Sequence, residues 1–187
     1  MCLRSRVMRL VVCGISLAVS LAQLGAATLS RLSLDDMISQ STAIARVRIS
    51  GSFSAWRGPV IYTYYRVQVV ERWKGAGDGS IDVALPGGTV NNSRQDYPGT
   101  PQLTEGKEYL LFLWTSRSGL TQIIGLTQGL FDLSQDSTGV LSAIRAASTN
   151  SMLDPHTGRS VKDQPIRMQL KDLTTHITTL LAKGRTN

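Results

Sequence analysis

At 187 residues, 42% hydrophobic and 18% charged, the chain has enough apolar material for one domain with its own core, and too much for intrinsic disorder. Its net charge of +7 overstates its basicity, because 3 arginines fall within the first 27 residues; the rest of the chain is too weakly basic for a strong phosphate-backbone binder. Both cysteines, Cys2 and Cys13, fall there too, which excludes disulfide, cysteine–metal and thiol-nucleophile chemistry from the remainder.

The opening "MCLRSRVMRLVVCGISLAVSLAQLGAATLS" places Arg4, Arg6 and Arg9 ahead of an apolar run, Leu10 to Leu24, and then the small residues Gly25, Ala26 and Ala27. That order predicts a secretory signal cleaved after Ala26 or Ala27, and hence a secreted or periplasmic protein. The apolar run is shorter than the roughly 20 residues of a spanning helix. Val12, directly before Cys13, is too large for a lipoprotein anchor. Cleavage would leave 160 residues (187 − 27) with a net charge of +4 (+7 − 3).

Next, "SLDDMISQS" predicts a short helix capped by Ser33, with Asp36 in the reciprocal position and Leu34, Met37 and Ile38 on one face. "AIARVRIS", Ala43 to Ser50, reads as a strand with a wet face carrying Arg46 and Arg48, followed by a loop from Gly51 to Pro59. From Val60 to the Lys74–Gly75 pair runs a long strand. Its core face is expected to hold Ile61, Thr63, Tyr65, Val67 and Val69, with Trp73 also packed inward. "IDVALPGG" is a third strand, ended by Pro86 and two glycines. Residues 89–108 read as a long irregular stretch. "YLLFLW", Tyr109 to Trp114, reads as a central strand buried on both faces.

"TQIIGL" and "GLFDLS" continue the β pattern, and "SQDSTGVLSAI" predicts a hairpin with Asp136 to Gly139 at its tip. The stretch before Pro165 lacks periodicity. After it, Ile166, Leu170, Leu173, Ile177, Leu180 and Leu181 recur at helical spacing up to a Gly184 cap. The predicted organisation is therefore a signal at 1–27, a mainly β domain at 28–146, a linker at 147–164 and, at 165–184, an amphipathic helix packed on the β domain.

Four stretches carry a resemblance: "STAIARVRIS", "YTYYRVQVVERWKG", "LTEGKEYLLFL" and "GLTQGLFDL". In this order they are similar to a group of secreted bacterial β-domains that share "KG", "PGG", "G.P.L..G..YLLFL" and "G..QG.F". The likeness spans about Ser41 to Ser134. In outline it also resembles the netrin-like module of tissue inhibitors of metalloproteinases. That resemblance implies an OB-like closed or partly open antiparallel barrel. It does not carry over metalloproteinase inhibition, which in those proteins rests on an N-terminal cysteine that this chain would lack after cleavage.

Catalytic motifs are scarce. The histidines are His156, in the turn-like "LDPHTGR", and His176, in the C-terminal helix; no G-x-S-x-G elbow comes after the leader. Asp154 and His156 lack further ligands at metal spacing, and Asp132 and Asp136 lack the alternation of a calcium loop. Neither a cofactor nor a metal is expected, and the chain reads as a non-enzyme.

The leading expectation is a binding or accessory module for a protein or cell-envelope partner. Its contact surface is the long loop from Gly87 to Leu103, with Arg94, Asp96 and Tyr97, joined by Trp56 from the preceding loop. The alternative is an oligonucleotide- or polysaccharide-binding domain using Tyr62, Tyr64, Arg66 and Arg72. A hydrolase ranks behind both.

Overall fold

The computed structural model describes residues 28–77 and 79–184, and the expected signal segment with both cysteines lies outside them. The architecture is mainly β, with two helices. Strand β1 (Thr28–Ser30) leads into helix α1 (Leu34–Gln40), whose start is the predicted capping box: Ser33 Oγ accepts the Asp36 N–H, and the Asp36 carboxylate accepts the Ser33 N–H. Then come β2 (Ala43–Arg57), β3 (Val60–Lys74) and β4 (Ser80–Pro86). The short β5 (Gly88–Val90) and β6 (Ser93–Gln95) come next, then β7 (Glu108–Thr115), β8 (Thr121–Ile123), β9 (Leu130–Gln135) and β10 (Leu141–Arg145). The chain ends with β11 (Ser151–Leu153), β12 (Ser160–Val161), β13 (Ile166–Gln169) and helix α2 (Leu170–Lys183).

The main sheet is antiparallel, in the order β13–β10–β9–β7–β2–β3–β4, with β8 also paired to β7. It has two edges, so no closed barrel is present among the described residues. Even so, the sheet curls. Leu85 of β4 and Ile123 of β8, at opposite ends of the run β4–β3–β2–β7–β8, belong to one buried core and line one cavity. Closure by a ladder is opposed by Pro86, which lacks an N–H at the end of β4, and by the shortness of β8.

Strand β7 explains why the core has two halves. Tyr109, Leu111 and Leu113 point into the curl with Val47, Ile49, Val67 and Val83. Leu110 and Phe112 point the other way, onto Met37 and Ile38 of α1, Phe131, and Leu170, Leu173 and Ile177 of α2. A strand buried on both sides can carry an unbroken apolar run, as "YLLFLW" does. The helix α2 is rich in threonine, yet Thr175 and Thr178 return their hydroxyls to carbonyls one turn back, and packing of its apolar face holds it.

Several expectations need correction. Residues 51–57 are not a loop: β2 continues through them and turns into β3 over Gly58 and Pro59, with Arg57 opposite Val60. Trp73 does not share the face of Val67. The β3 pairing skips Val70, and that bulge reverses the side-chain alternation, so Trp73, which a second bulge leaves unpaired, packs in the second core. The irregular stretch after Pro86 contains the β5–β6 hairpin, with Asn91 at φ 52 in its turn. Pro165 does not open the last helix: residues 166–169 first pair with β10 as β13, and α2 starts at Leu170. The stretch expected as a linker carries β11 and β12, with β1 parallel to β11.

That parallel strand is held by Gln128, which is fully buried. Its Oε1 accepts the Leu32 N–H at 2.8 Å and its Nε2 donates to the Ser30 carbonyl at 2.9 Å, so one side chain stands in for a neighbouring strand. Gln128→Leu should leave both backbone groups unpaired, at about 1–3 kcal/mol each. A lowered urea midpoint and faster amide exchange at Leu32 would show it; wild-type exchange there would count against the clamp.

Candidate functional site

A concavity lies where β3 and β4 end and the loop after β4 crosses over them. Gly88 sits at φ +138, and a Cβ there would lie 2.6 Å from both Ser54 Oγ and Thr63 Oγ1. Only glycine lets the chain pass this close to the hairpin. Thr63 Oγ1 then donates to the Gly87 carbonyl at 2.8 Å, and the Gly87 N–H donates to the Ile61 carbonyl at 2.8 Å. Gln95 at the end of β6 ties the far side: its Oε1 accepts the Ile61 N–H at 2.8 Å and its Nε2 donates to the Pro59 carbonyl at 3.0 Å. The β5–β6 hairpin is thus fixed over the mouth of the curled sheet.

Beneath it lies a cavity of about 450 Å³ whose wall includes Thr63, Tyr65, Pro86, Arg94, Asp96 and Tyr97. Arg94 Nε and Nη2 donate to the two Asp96 carboxylate oxygens at 2.8 and 3.1 Å. This pairing raises the Arg94 pKa and lowers that of Asp96, in each case chiefly through the shared hydrogen bonds, so both stay ionised. Both are exposed, and their pairing orients rather than stabilises. The Tyr97 ring is 40% exposed beside them. Tyr65, 9% exposed, also lines the cavity, and its hydroxyl makes no hydrogen bond to another described residue. Tyr109, the other tyrosine of that core, instead accepts the Thr104 N–H at 3.0 Å.

Three of the four residues expected to bind therefore share one wall. The fourth, Trp56, lies outside it: it pairs with Ile61 near the β2–β3 turn and is 47% exposed. Alternation alone assigns Tyr65 to the core and is silent on its place at the mouth. The available signal is its type, since a tyrosine among aliphatic core neighbours brings a hydroxyl that needs a partner or an opening.

Other constellations are spread apart. Tyr64 stacks on Phe53 at 5.2 Å and Tyr62 lies 6.3 Å from Tyr64, while Arg66 pairs with Asp82. Arg72 lies beyond the first bulge, in a separate groove of about 770 Å³ with Trp73, Lys74, Leu180 and Leu181. Lys74 there donates to the Ile38 and Ser39 carbonyls at 2.7 and 2.8 Å, and desolvation lowers its pKa. His176 Nε2 meets Asp35 at 2.6 Å on the surface. The His156 N–H donates to Asp154, whose carboxylate also takes two bonds from Thr157. No group of three or more His, Cys, Asp or Glu side chains converges as a metal site among the described residues, and no helix among them is long and apolar enough to cross a membrane.

Comparison with known proteins returns no match, whether to a family profile, a curated protein or a solved structure.

Proposed function

We propose that this chain is a secreted, non-enzymatic binding module of OB-like, netrin-like type, which holds a protein or cell-envelope partner at the mouth of its curled sheet. The single observation that carries the reading is the cavity wall shared by Arg94, Asp96 and Tyr97 on a loop fixed by Gly87, Gly88 and Gln95. Binding sites concentrate on loops held by rigid scaffolds, in concave places where a few polar groups converge. The OB-like part is supported by five strands that curve around one core, and by the long β3 ending in Lys74. Secretion is supported by the leader-like order of Arg4, Arg6 and Arg9, the apolar run and Ala26–Ala27.

The test is capture of envelope components by immobilised protein lacking residues 1–27. Tyr97→Ala should lower retention about tenfold or more, as loss of a half-exposed aromatic anchor does. Trp56→Ala, outside the cavity wall, should change it less. Equal retention by both variants and the wild type would remove the mouth as the contact surface.

A further inference from the structure

We infer that the mouth cavity takes a neutral, hydroxyl-rich ligand, namely a short stretch of an uncharged glycan. This rests on the reading of the mouth as the binding site and specifies its ligand.

The lining decides against the other classes. Its charged groups are Arg94 and Asp96, which neutralise one another through two hydrogen bonds. An anionic ligand such as a phosphate backbone meets a cation whose carboxylate partner repels it, and a cationic ligand meets the reverse. An extended peptide needs unpaired backbone groups to lie against. The backbone of the covering loop is largely taken: Gly87 is bonded through both its N–H and its carbonyl, and Gly88 to Val90 pairs with β6. An acyl chain needs an apolar hole, and this wall carries Thr63, Thr89, Gln102 and the ion pair.

A sugar hydroxyl both donates and accepts, which suits a mixed wall. Asp96 accepts, Arg94 donates, and Gln102 and the Thr89 hydroxyl do both. The Tyr65 hydroxyl is the most specific element. The residue is nine-tenths buried, and its hydroxyl, which makes no bond to the described residues, opens onto the cavity and is placed to exchange water for a ligand hydroxyl. The half-exposed Tyr97 ring and Pro86 offer flat apolar surface to the C–H faces of a pyranose. At about 450 Å³ the cavity lies toward the small end of ligand sites, a size for a glycan segment rather than a folded partner.

The experiment is calorimetric titration of the protein lacking residues 1–27 with neutral cello-, malto- and chito-oligosaccharides, repeated at low and high salt. At least one series should bind, with an affinity indifferent to salt. Tyr65→Phe should leave the melting temperature intact and weaken binding about three- to tenfold, the worth of one hydrogen bond, and Tyr97→Ala should weaken it further. Absence of binding at millimolar sugar, binding that Tyr65→Phe leaves unchanged, or steep salt dependence with an oligonucleotide as the better ligand would each overturn the inference. If no sugar binds or competes, yet Tyr97→Ala still loses a captured protein, the glycan falls while the mouth stands as a protein-binding site. If Tyr97→Ala changes neither capture nor titration, the mouth itself falls.

Discussion

Asp163→Ala should destabilise the chain by about 3–5 kcal/mol, an unusually large effect for a residue in a stretch that reads as a surface linker. Asp163 forms an ion pair with Arg145 at 2.8 Å, and the two side chains are 2% and 5% exposed. The carboxylate's other oxygen accepts the Ser148 N–H at 2.8 Å, while Arg145 Nη2 also donates to the Gln164 carbonyl at 2.6 Å. The guanidinium is only partly satisfied, since its Nε and Nη1 are buried without a partner among the described residues. Its countercharge is therefore what makes its burial tolerable, and removing that carboxylate leaves a desolvated cation.

The pair clips the end of β10 to the segment leading into β13, holding the last strand and α2 against the sheet. Replacing both partners with apolar residues, Arg145→Met with Asp163→Leu, should restore most of the loss, because no isolated charge remains. Urea midpoints for the single and double variants decide it. A single variant costing less than about 1 kcal/mol, as exposed pairs do, would show that the pair is solvated.

How much of this was legible in the sequence depends on the range over which each signal acts. Local chemistry was readable: Ser33 and Asp36 cap α1, Asp136 closes the β9–β10 turn, and the unbroken apolar run of β7 is buried on both sides. The short Lys-Gly and Gln-Gly motifs also find structural reasons. Lys74 of the Lys-Gly pair caps α1 through two carbonyls, Gln128 clamps β1, and a Cβ on Gly129 would sit 2.8 Å from the Phe112 carbonyl.

What alternation could not reveal were its own interruptions. The β3 bulges shift Trp73 and Arg72 out of the pattern set by Val67 and Val69, and they depend on pairing with β2 across the hairpin. The Arg145–Asp163 pair joins residues whose separate contexts look solvated. At the mouth, Arg94, Asp96 and Tyr97 were readable as a polar–aromatic cluster on a long loop. The part played by Tyr65 was hidden, because it lines one cavity with that loop only after the β5–β6 hairpin folds back over β3.

Phe112→Ala should cost about 3–5 kcal/mol, the usual range for emptying a fully buried aromatic position. Phe112 is 0% exposed on the helix-facing side of β7, its ring 5.5 Å from that of Phe131. The missing Cβ of Gly129 lets the next strand lie directly on it, and that closeness leaves little room to collapse into the void. A double-mutant cycle with Phe131→Leu should show coupling of about 0.5–1.5 kcal/mol for the aromatic pair. Trp114→Ala, two residues along the strand and 44% exposed, should change stability by no more than about 0.5 kcal/mol. Because Phe112 faces α1 and α2 while Tyr65 faces the curl, the loss should appear as a lower urea midpoint with ligand affinity at the mouth unchanged. A Phe112→Ala protein with near-wild-type stability would mean that the helices do not seal this face. One that loses affinity while folded would mean that the two halves of the core are mechanically coupled through β7.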